Sequence, residues 1–126
     1  MGIRATGVDA ASLYEALGLG LFALTTDLRK VRPSDERIVR ASAGDPEGLA
    51  VAFLSELLVL QQTEGFLVRE IRARPVGTPP TSIRATVRGE PFDPARHDRR
   101  IEVKAVTMHR LSVDLVRGTA RVIVDV

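Results

Sequence analysis

The second half of the chain alternates apolar residues with arginine over strand-length runs, and this periodicity restricts the fold more than any other feature. The pattern occupies Leu67–Arg74 and Ser82–Arg88 and is typical of strands with one buried and one solvated face. Pro75–Thr81, rich in Gly and Pro, predicts a longer hairpin loop between them. Three further strands are predicted at Ile101–Thr107, Leu111–Val116 and Ala120–Val126.

Two helices and two strands are predicted in the first half. Residues 2–6 and Arg37–Ser42 have strand character, and a helix is predicted between them. Ser12 and Glu15 have the spacing of a capping box, which places the start of this first helix at Ser12. A second helix is predicted to begin with Asp45 as its N-cap, because Pro46 suits the first helical position.

The predicted order is strand, helix, strand, helix and then about five strands. This order indicates an α+β fold with a mainly antiparallel sheet of about six to seven strands and two packed helices. At 126 residues the chain has the length of one domain. We therefore expect a single domain over residues 1–126.

Composition excludes several classes of chemistry. The chain has no cysteine, so disulfides, thiolate zinc sites and cysteine nucleophiles are excluded, and oxygen and imidazole remain as metal ligands. There is no Gly-rich phosphate fingerprint after a strand and no Gly-x-Ser-x-Gly elbow. No apolar run approaches the ~18 residues of a membrane span, and no secretory h-region is present. We therefore expect a cytoplasmic protein without a membrane partner.

The charge balance gives only weak support for nucleic-acid binding. Lys and Arg number 18 against 16 Asp and Glu, so the pI near 9.7 rests on a small excess of cations. Aromatic residues make up 4% of the chain, with one Tyr and no Trp, which leaves little for bases to stack on. The sequence therefore argues against RNA binding through a stacking platform.

Charged residues in the predicted strands Ile101–Thr107 and Ala120–Val126 are the first functional candidates. Lys104 lies in an otherwise apolar run, on the same predicted face as Glu102, and an exposed Lys104–Glu102 pair is the simplest explanation. Asp125 and the free carboxylate of Val126 put two anionic donors at a strand end, which suits Ca²⁺ or Mg²⁺. A frayed terminus is the alternative, but apolar residues continue to the last position and favour a terminus held in the sheet.

Other candidates are Glu56, on a nearly all-apolar helix, and Glu90, His97 and His109. Glu56 is explained equally well as the narrow solvent-facing edge of its helix. His97 and His109 could ligate a metal, but two imidazoles without cysteine make a poor zinc site. A structural or surface role for each histidine therefore remains open.

Taken in order, these motifs resemble the archease family, accessory proteins of RtcB-type RNA-splicing ligases. The resemblance covers essentially the whole chain and includes the Val-Lys-Ala-Val-Thr-x-His run that ends at His109. It implies that Asp125 and Val126 are ligands of a divalent metal, and that Lys104 and Glu56 belong to a functional polar cluster. Glu90 and His97 match the family's Gly-Glu-x-aromatic-Asp…His loop.

The N-terminus departs from that pattern. Archeases usually open this strand with His-Thr-Ala-Asp-(Val/Ile)-Gly-Ile-Arg-Ala, whose Asp is another metal ligand. Met1 occupies the Val/Ile position before Gly2, so this sequence starts one residue after that Asp. We hypothesise that a GUG valine codon has been assigned as the start, which upstream in-frame codons for His-Thr-Ala-Asp would support. As written, the sequence predicts a truncated first strand and a weakened metal site.

The resemblance implies an accessory protein rather than an enzyme. Such a protein would promote guanylylation and multiple turnover of an RtcB-type ligase in tRNA splicing or RNA repair, with RNA or GTP contacted through the ligase. The alternative is a small metal-dependent hydrolase or nucleotide-binding protein that uses the same polar cluster directly. A third alternative is an interaction module without a metal.

Overall fold

The structure is a computed structural model that describes all residues from Met1 to Val126. Its elements follow the chain as β1 (Gly2–Thr6), α1 (Ala10–Thr25), a 3-10 turn (Leu28–Lys30), β2 (Asp35–Ser42), α2 (Pro46–Glu64), β3 (Phe66–Val76), β4 (Ser82–Pro91), β5 (Ala105–Asp114) and β6 (Thr119–Asp125). The α+β class is confirmed. Neither helix is both long and apolar enough to cross a membrane.

The strands form two three-stranded antiparallel sheets rather than one larger sheet. The sheet orders are β1-β6-β5 and β2-β4-β3, so β6 and β4 are the central strands. There are six strands, the lower of the predicted numbers, and four of them follow α2 rather than five. Because β6 is central, the chain's last residues are paired on both sides with β1 and β5.

Both helices pack against strands of both sheets. α1 contacts β1 and β3, and α2 contacts β2 and β5. Leu13, Leu17 and Leu21, four residues apart on α1, have no exposed surface, since this spacing repeats on one face of a helix. Burying each such side chain stabilises the fold by about 1.5–3 kcal/mol. The two sheets and two helices share one hydrophobic core.

The predicted N-cap of α1 is wrong by three residues. Its N-cap is Asp9, whose side chain accepts the Ser12 amide at 2.8 Å, while the Asp9 amide donates to Ser12 Oγ at 3.1 Å. A capping box is therefore present, but Ser12 is its N3 residue and not its N-cap. Glu15 instead accepts the Ala73 amide of β3 at 2.8 Å. A tertiary hydrogen bond thus occupies the carboxylate that local spacing had assigned to the cap.

The start of α2 agrees with the sequence prediction. Asp45 is its N-cap and accepts the Gly48 amide at 2.6 Å, and Pro46 is its first residue. Gly65 ends the helix in the left-handed conformation, with φ of 65°, which glycine adopts without steric cost. The Gly65 amide donates to Gln61 at 2.8 Å.

The two strands predicted around His109 form one irregular strand. Residues 101–104 precede β5 and have no regular secondary structure, so Lys104 lies just before the strand and not inside it. Between Thr107 and Ser112 the pairing with β6 shifts register, and Arg110 has a positive φ of 51°. A bulge absorbs the extra residues. His109 lies in this bulge and is exposed, which agrees with a surface role.

Candidate functional site

The structure brings Lys104 and Asp125 together at the end of the β1-β6-β5 sheet. The Lys104 amide donates to the Asp125 carbonyl at 2.7 Å, and Ala105 is the register partner of Asp125. Both residues are exposed. Asp125 belongs to β6, as the apolar C-terminal sequence predicts, and Val126 is 53% exposed. This C-terminal edge, formed by Lys104, Asp125 and Val126, therefore presents one cation and two carboxylates to solvent.

The C-terminal part of α2 borders this edge. Gln62 Nε2 lies 3.5 Å from the Lys104 carbonyl oxygen. Glu56 is on the same helix, six residues earlier, and is exposed. Neither Glu56 nor Glu102 forms an ion pair with Lys104. The helix thus approaches the edge, while the Lys104 ammonium is free to meet a ligand or a partner.

The carboxylates of Asp125 and Val126 do not by themselves complete a metal site. Ca²⁺ takes six to eight oxygen ligands in proteins, and Mg²⁺ requires near-ideal octahedral geometry. The structure contains no group of three or more His, Asp or Glu side chains able to hold an ion. Two exposed carboxylates on one strand end therefore give an incomplete donor set.

Glu90 and His97, predicted as further candidates, contact each other beneath the loop after β4. His97 Nε2 lies 3.0 Å from Glu90 Oε2, and the Asp93 amide donates to His97 Nδ1 at 2.8 Å. Nδ1 therefore carries no proton, and Nε2–H is the donor to Glu90. Both ring nitrogens are occupied, and His97 is 5% exposed. In this arrangement neither nitrogen is available to a metal.

Glu90 remains ionised despite its burial. Burial alone raises the pKa of its carboxyl group, but hydrogen bonds from the Arg32 amide, Arg96 and His97 outweigh that effect and lower the pKa to about 2. The Arg32 amide donates to Glu90 Oε2 at 2.7 Å, and Arg96 forms an ion pair with Oε1. The carboxylate thereby fastens the loop after β4 to the segment before β2.

A second carboxylate network was not predicted from the sequence. Asp98 accepts the Thr26 hydroxyl and the Asp27 amide, each at 3.0 Å, and also pairs with Arg100 at 3.0 Å. The Asp27 amide, followed by Arg100 and Thr26, holds the pKa of Asp98 well below its usual range. Hydrogen bonds from Arg29 lower the pKa of Asp27 to about 2. The bonds to Asp98 span more than 70 residues, and no local pattern in the sequence signals them.

These two networks position the segment that leads to Lys104. The Arg100 and Ile101 amides donate to the Thr25 and Leu24 carbonyls at 3.0 and 2.9 Å. A cleft of about 540 Å³ lies alongside, between this segment and the end of α2, and its walls include Gln61, Gln62, Phe92, Arg99 and Glu102. The Arg99 guanidinium lies 4.2 Å from the centre of the Phe92 ring.

The fold and the C-terminal edge define a class: small two-sheet α+β domains whose candidate functional groups lie on an exposed sheet edge. Comparison with known families identifies the family of this chain. The model of the Archease protein family matches residues 1–126, and the chain belongs to that family.

Individual relatives agree with this assignment. Protein archease of Thermococcus gammatolerans is 36% identical over 115 residues, which cover 90% of this chain and 81% of the relative. Protein archease of Pyrococcus abyssi is 31% identical over 130 residues, covering 100% and 92%. The solution structure of Methanobacterium thermoautotrophicum protein 1598 has a TM-score of 0.82 at 32% identity, covering 99% of this chain and 91% of that one.

A crystal structure from Thermotoga maritima, described as an archease and possible chaperone, has a TM-score of 0.64 at 14% identity and covers 100% of this chain and 90% of that one. At this identity the likeness concerns the fold alone. The family and the α+β archease fold are thus established for this chain.

Proposed function

We propose that the chain is a cytoplasmic accessory protein, not an enzyme, of an RtcB-type RNA ligase. It would promote guanylylation and multiple turnover of the ligase in tRNA splicing or RNA repair. One observation carries the proposal: the hydrogen bond from the Lys104 amide to the Asp125 carbonyl, which places two exposed residues of opposite charge next to each other along the backbone at the end of the sheet. Membership of the archease family supports an accessory role.

Lys104 has the chemistry to contact phosphate groups. An ammonium is a compact point charge that pairs with phosphate or carboxylate oxygens through charge-assisted hydrogen bonds. In the proposed complex, Lys104 contacts GTP phosphates or an acidic group beside the nucleotide site of the ligase, and Asp125 faces a cation of that site. Glu56 provides a further acidic contact from α2. The chain's own part is to orient these groups, and no bond is made or broken on it.

The proposal includes a divalent cation, calcium or magnesium, only where further oxygen donors complete its coordination. Gly2 pairs with Ile123, so a residue preceding Met1 that continued β1 would lie opposite Asp125. Calorimetric titration with Ca²⁺ should therefore show weak binding to the present chain, and tighter binding to a chain extended by His-Thr-Ala-Asp. In the extended chain, Asp125→Asn should abolish the gain in Ca²⁺ affinity. Equal Ca²⁺ affinity of the extended and the present chain would contradict this proposal.

A guanylylation assay tests the accessory role. A purified RtcB-type ligase is incubated with labelled GTP, with and without this protein, and the labelled ligase is counted over time. The protein alone should turn over neither nucleotide nor RNA, while the mixture should label the ligase faster. Lys104→Ala and Asp125→Ala should each reduce the stimulation by about ten-fold, the effect of losing one charge-assisted contact.

Arg117→Ala is the matched control, because Arg117 is exposed on the β5–β6 turn, away from the C-terminal edge. It should leave the stimulation unchanged. Hydrolysis of RNA or nucleotide by the protein without ligase would instead favour a metal-dependent hydrolase. Full stimulation by Asp125→Ala would indicate an interaction module that does not use the C-terminal edge.

A further inference from the structure

The outer face of the β2-β4-β3 sheet carries a row of arginines in direct register. Arg40 of β2 is opposite Arg84 of β4, and Arg84 is opposite Arg74 of β3. Arg72 lies two residues before Arg74 on the same face, and all four side chains are exposed. Neighbouring strands are about 4.8 Å apart, so the row spans about 10 Å. We call these four residues, Arg40, Arg72, Arg74 and Arg84, the arginine face.

None of the four arginines forms an ion pair. One end of the same sheet face is different, because Arg88 pairs with Glu36 at 3.4 Å and has Glu70 as its register partner on β3. Like charges directly opposite one another destabilise a sheet. The row of unpaired cations therefore does not serve the fold, and it concentrates more positive charge than the whole chain's net charge of +2.

The shape and lining of this face indicate what it can bind. A cleft of about 450 Å³ runs along it, and no apolar residue lines it. Four arginines and Thr86 form its walls, with Glu36 and Glu70 at the end where Arg88 lies. Ile38 and Val76 are exposed on the same face, but neither lines the cleft. The centre of a protein interface is usually apolar and rich in aromatic residues, so an acidic protein partner fits poorly. Guanidinium groups match phosphate oxygens in bidentate geometry.

We propose that the arginine face binds the phosphodiester backbone of a nucleic-acid strand without reading its sequence. The face has no aromatic side chain on which bases could stack, so contacts to phosphates are the ones it can make. Each guanidinium can neutralise one phosphate, so the three arginines in register, Arg40, Arg84 and Arg74, match about three phosphates. The binding surface is separate from the C-terminal edge and does not depend on the identity of a ligase partner.

Fluorescence anisotropy with a labelled oligouridine of about 20 nucleotides tests this directly, at NaCl concentrations from about 50 to 300 mM. The wild-type protein should bind at low salt and lose affinity steadily as salt rises. Each phosphate contact on a single strand contributes about 0.7 to the slope of log affinity against log salt. The triple variant Arg40→Gln/Arg74→Gln/Arg84→Gln should lower that slope by about 2 and weaken binding at least about ten-fold.

A matched control separates the face from net charge. Arg4→Gln/Lys30→Gln/Arg117→Gln removes three exposed cations from other surfaces and should change affinity less than about two-fold. Equal losses in the two triple variants would overturn the proposal, as would absence of binding by the wild type at low salt. Circular dichroism checks folding, and Arg84→Gln alone, at the centre of the row, should weaken binding about three-fold if the triple variant fails to fold.

Competition of two other polymers with the labelled RNA identifies the class of ligand that the arginine face binds. DNA of the same length should compete as well as RNA if the backbone alone is bound, and stronger competition by RNA would assign the face to RNA within the same chemistry. Polyglutamate of equal charge should compete poorly. A polyglutamate that outcompeted RNA would overturn the proposal in favour of an acidic protein partner.

Discussion

Glu90 illustrates how one buried carboxylate can hold two segments of chain together. It is 7% exposed and accepts hydrogen bonds from the Arg32 amide, Arg96 and His97. A carboxylate with these donors is stable inside the protein only as the anion. Its energetic role is therefore to fix the loop after β4, and through that loop the segment that reaches Lys104.

We expect Glu90→Gln to lower the free energy of unfolding by about 2 kcal/mol at neutral pH, because charged hydrogen bonds are lost and Arg96 keeps only its 3.5 Å contact with Asp93. The folded pKa of Glu90, about 2, lies below its ordinary value of 4.5. Its stabilisation is therefore fully present above the unfolded pKa and is lost as pH falls from about 4.5 towards about 2. Urea unfolding of both proteins at several pH values measures the difference.

The control for this pH dependence is Glu64→Gln. Glu64 pairs with Arg37 at 3.0 Å on the surface, where a single ion pair contributes about 0–1 kcal/mol. Its effect on unfolding should be small at every pH. A Glu90→Gln difference that stays constant down to pH about 2 would show that Glu90 is not held as an anion in the folded protein.

At the scale of helices and strands, the sequence predicts best where the determinants are local. Both ends of α2 follow from Asp45, Pro46 and Gly65, whose conformational preferences act within one turn. The start of α1 is ambiguous because Asp9 and Ser12 are both good N-caps. A tertiary contact decides it, since Glu15 is used by Ala73 of β3. No local sequence pattern indicates the bulge in β5, and the positive φ of Arg110 is seen only in the three-dimensional structure.

The N-cap of α1 provides a test at this scale. Asp9→Ala removes the acceptor for the Ser12 amide and should lower Tm by about 3–5 °C, the usual cost of losing a cap in a domain of this size. Asp9→Asn should restore most of the loss, because Asn caps equally well. Differential scanning calorimetry measures both. An unchanged Tm in Asp9→Ala would indicate that Ser12, and not Asp9, is the N-cap that stabilises α1.

Close packing of β3 against β4 depends on Gly89. A Cβ at this position would collide with the Leu67 carbonyl oxygen, which is backbone and cannot rotate away. Gly89→Ala should therefore destabilise the protein by about 1–3 kcal/mol, the usual cost of overpacking, and should displace the adjacent Glu90. Gly44→Ala is the control, since a Cβ there meets nothing within 4 Å. Urea unfolding should separate the two variants, and equal stabilities would show that β3 and β4 tolerate a wider separation.

For the molecule as a whole, the class of fold could be predicted while the assembly of its sites could not. Alternating Arg and apolar residues indicate half-exposed strands, but they do not tell which strands pair or that Arg40, Arg74 and Arg84 share a row. Periodicity likewise places Asp125 in a strand but not beside Lys104. Register between distant segments is set by tertiary packing, and the candidate surfaces are consequences of that register.

Because β6 is the central strand of its sheet, truncation of the C-terminus tests the stability of the whole molecule. Removal of residues 122–126 deletes Val122 and Val124, which are 0% and 1% exposed, from the strand that joins β1 to β5. Each buried valine contributes about 1.5–3 kcal/mol, and domains have only about 5–15 kcal/mol of net stability. This deletion should therefore unfold the protein, with loss of the cooperative transition in circular dichroism.

Removal of Asp125 and Val126 alone should have a different result. Both are exposed, and the main loss is the hydrogen bond to the Lys104 amide, worth about 1 kcal/mol. The shortened protein should keep its cooperative unfolding with a slightly lower Tm, yet lose its stimulation of ligase guanylylation, because the Asp125 side-chain carboxylate is gone and the terminal carboxylate has moved back to Val124. If this variant unfolds, the last two residues are needed for folding. If it stimulates the ligase fully, the C-terminal edge does not have the function proposed for it.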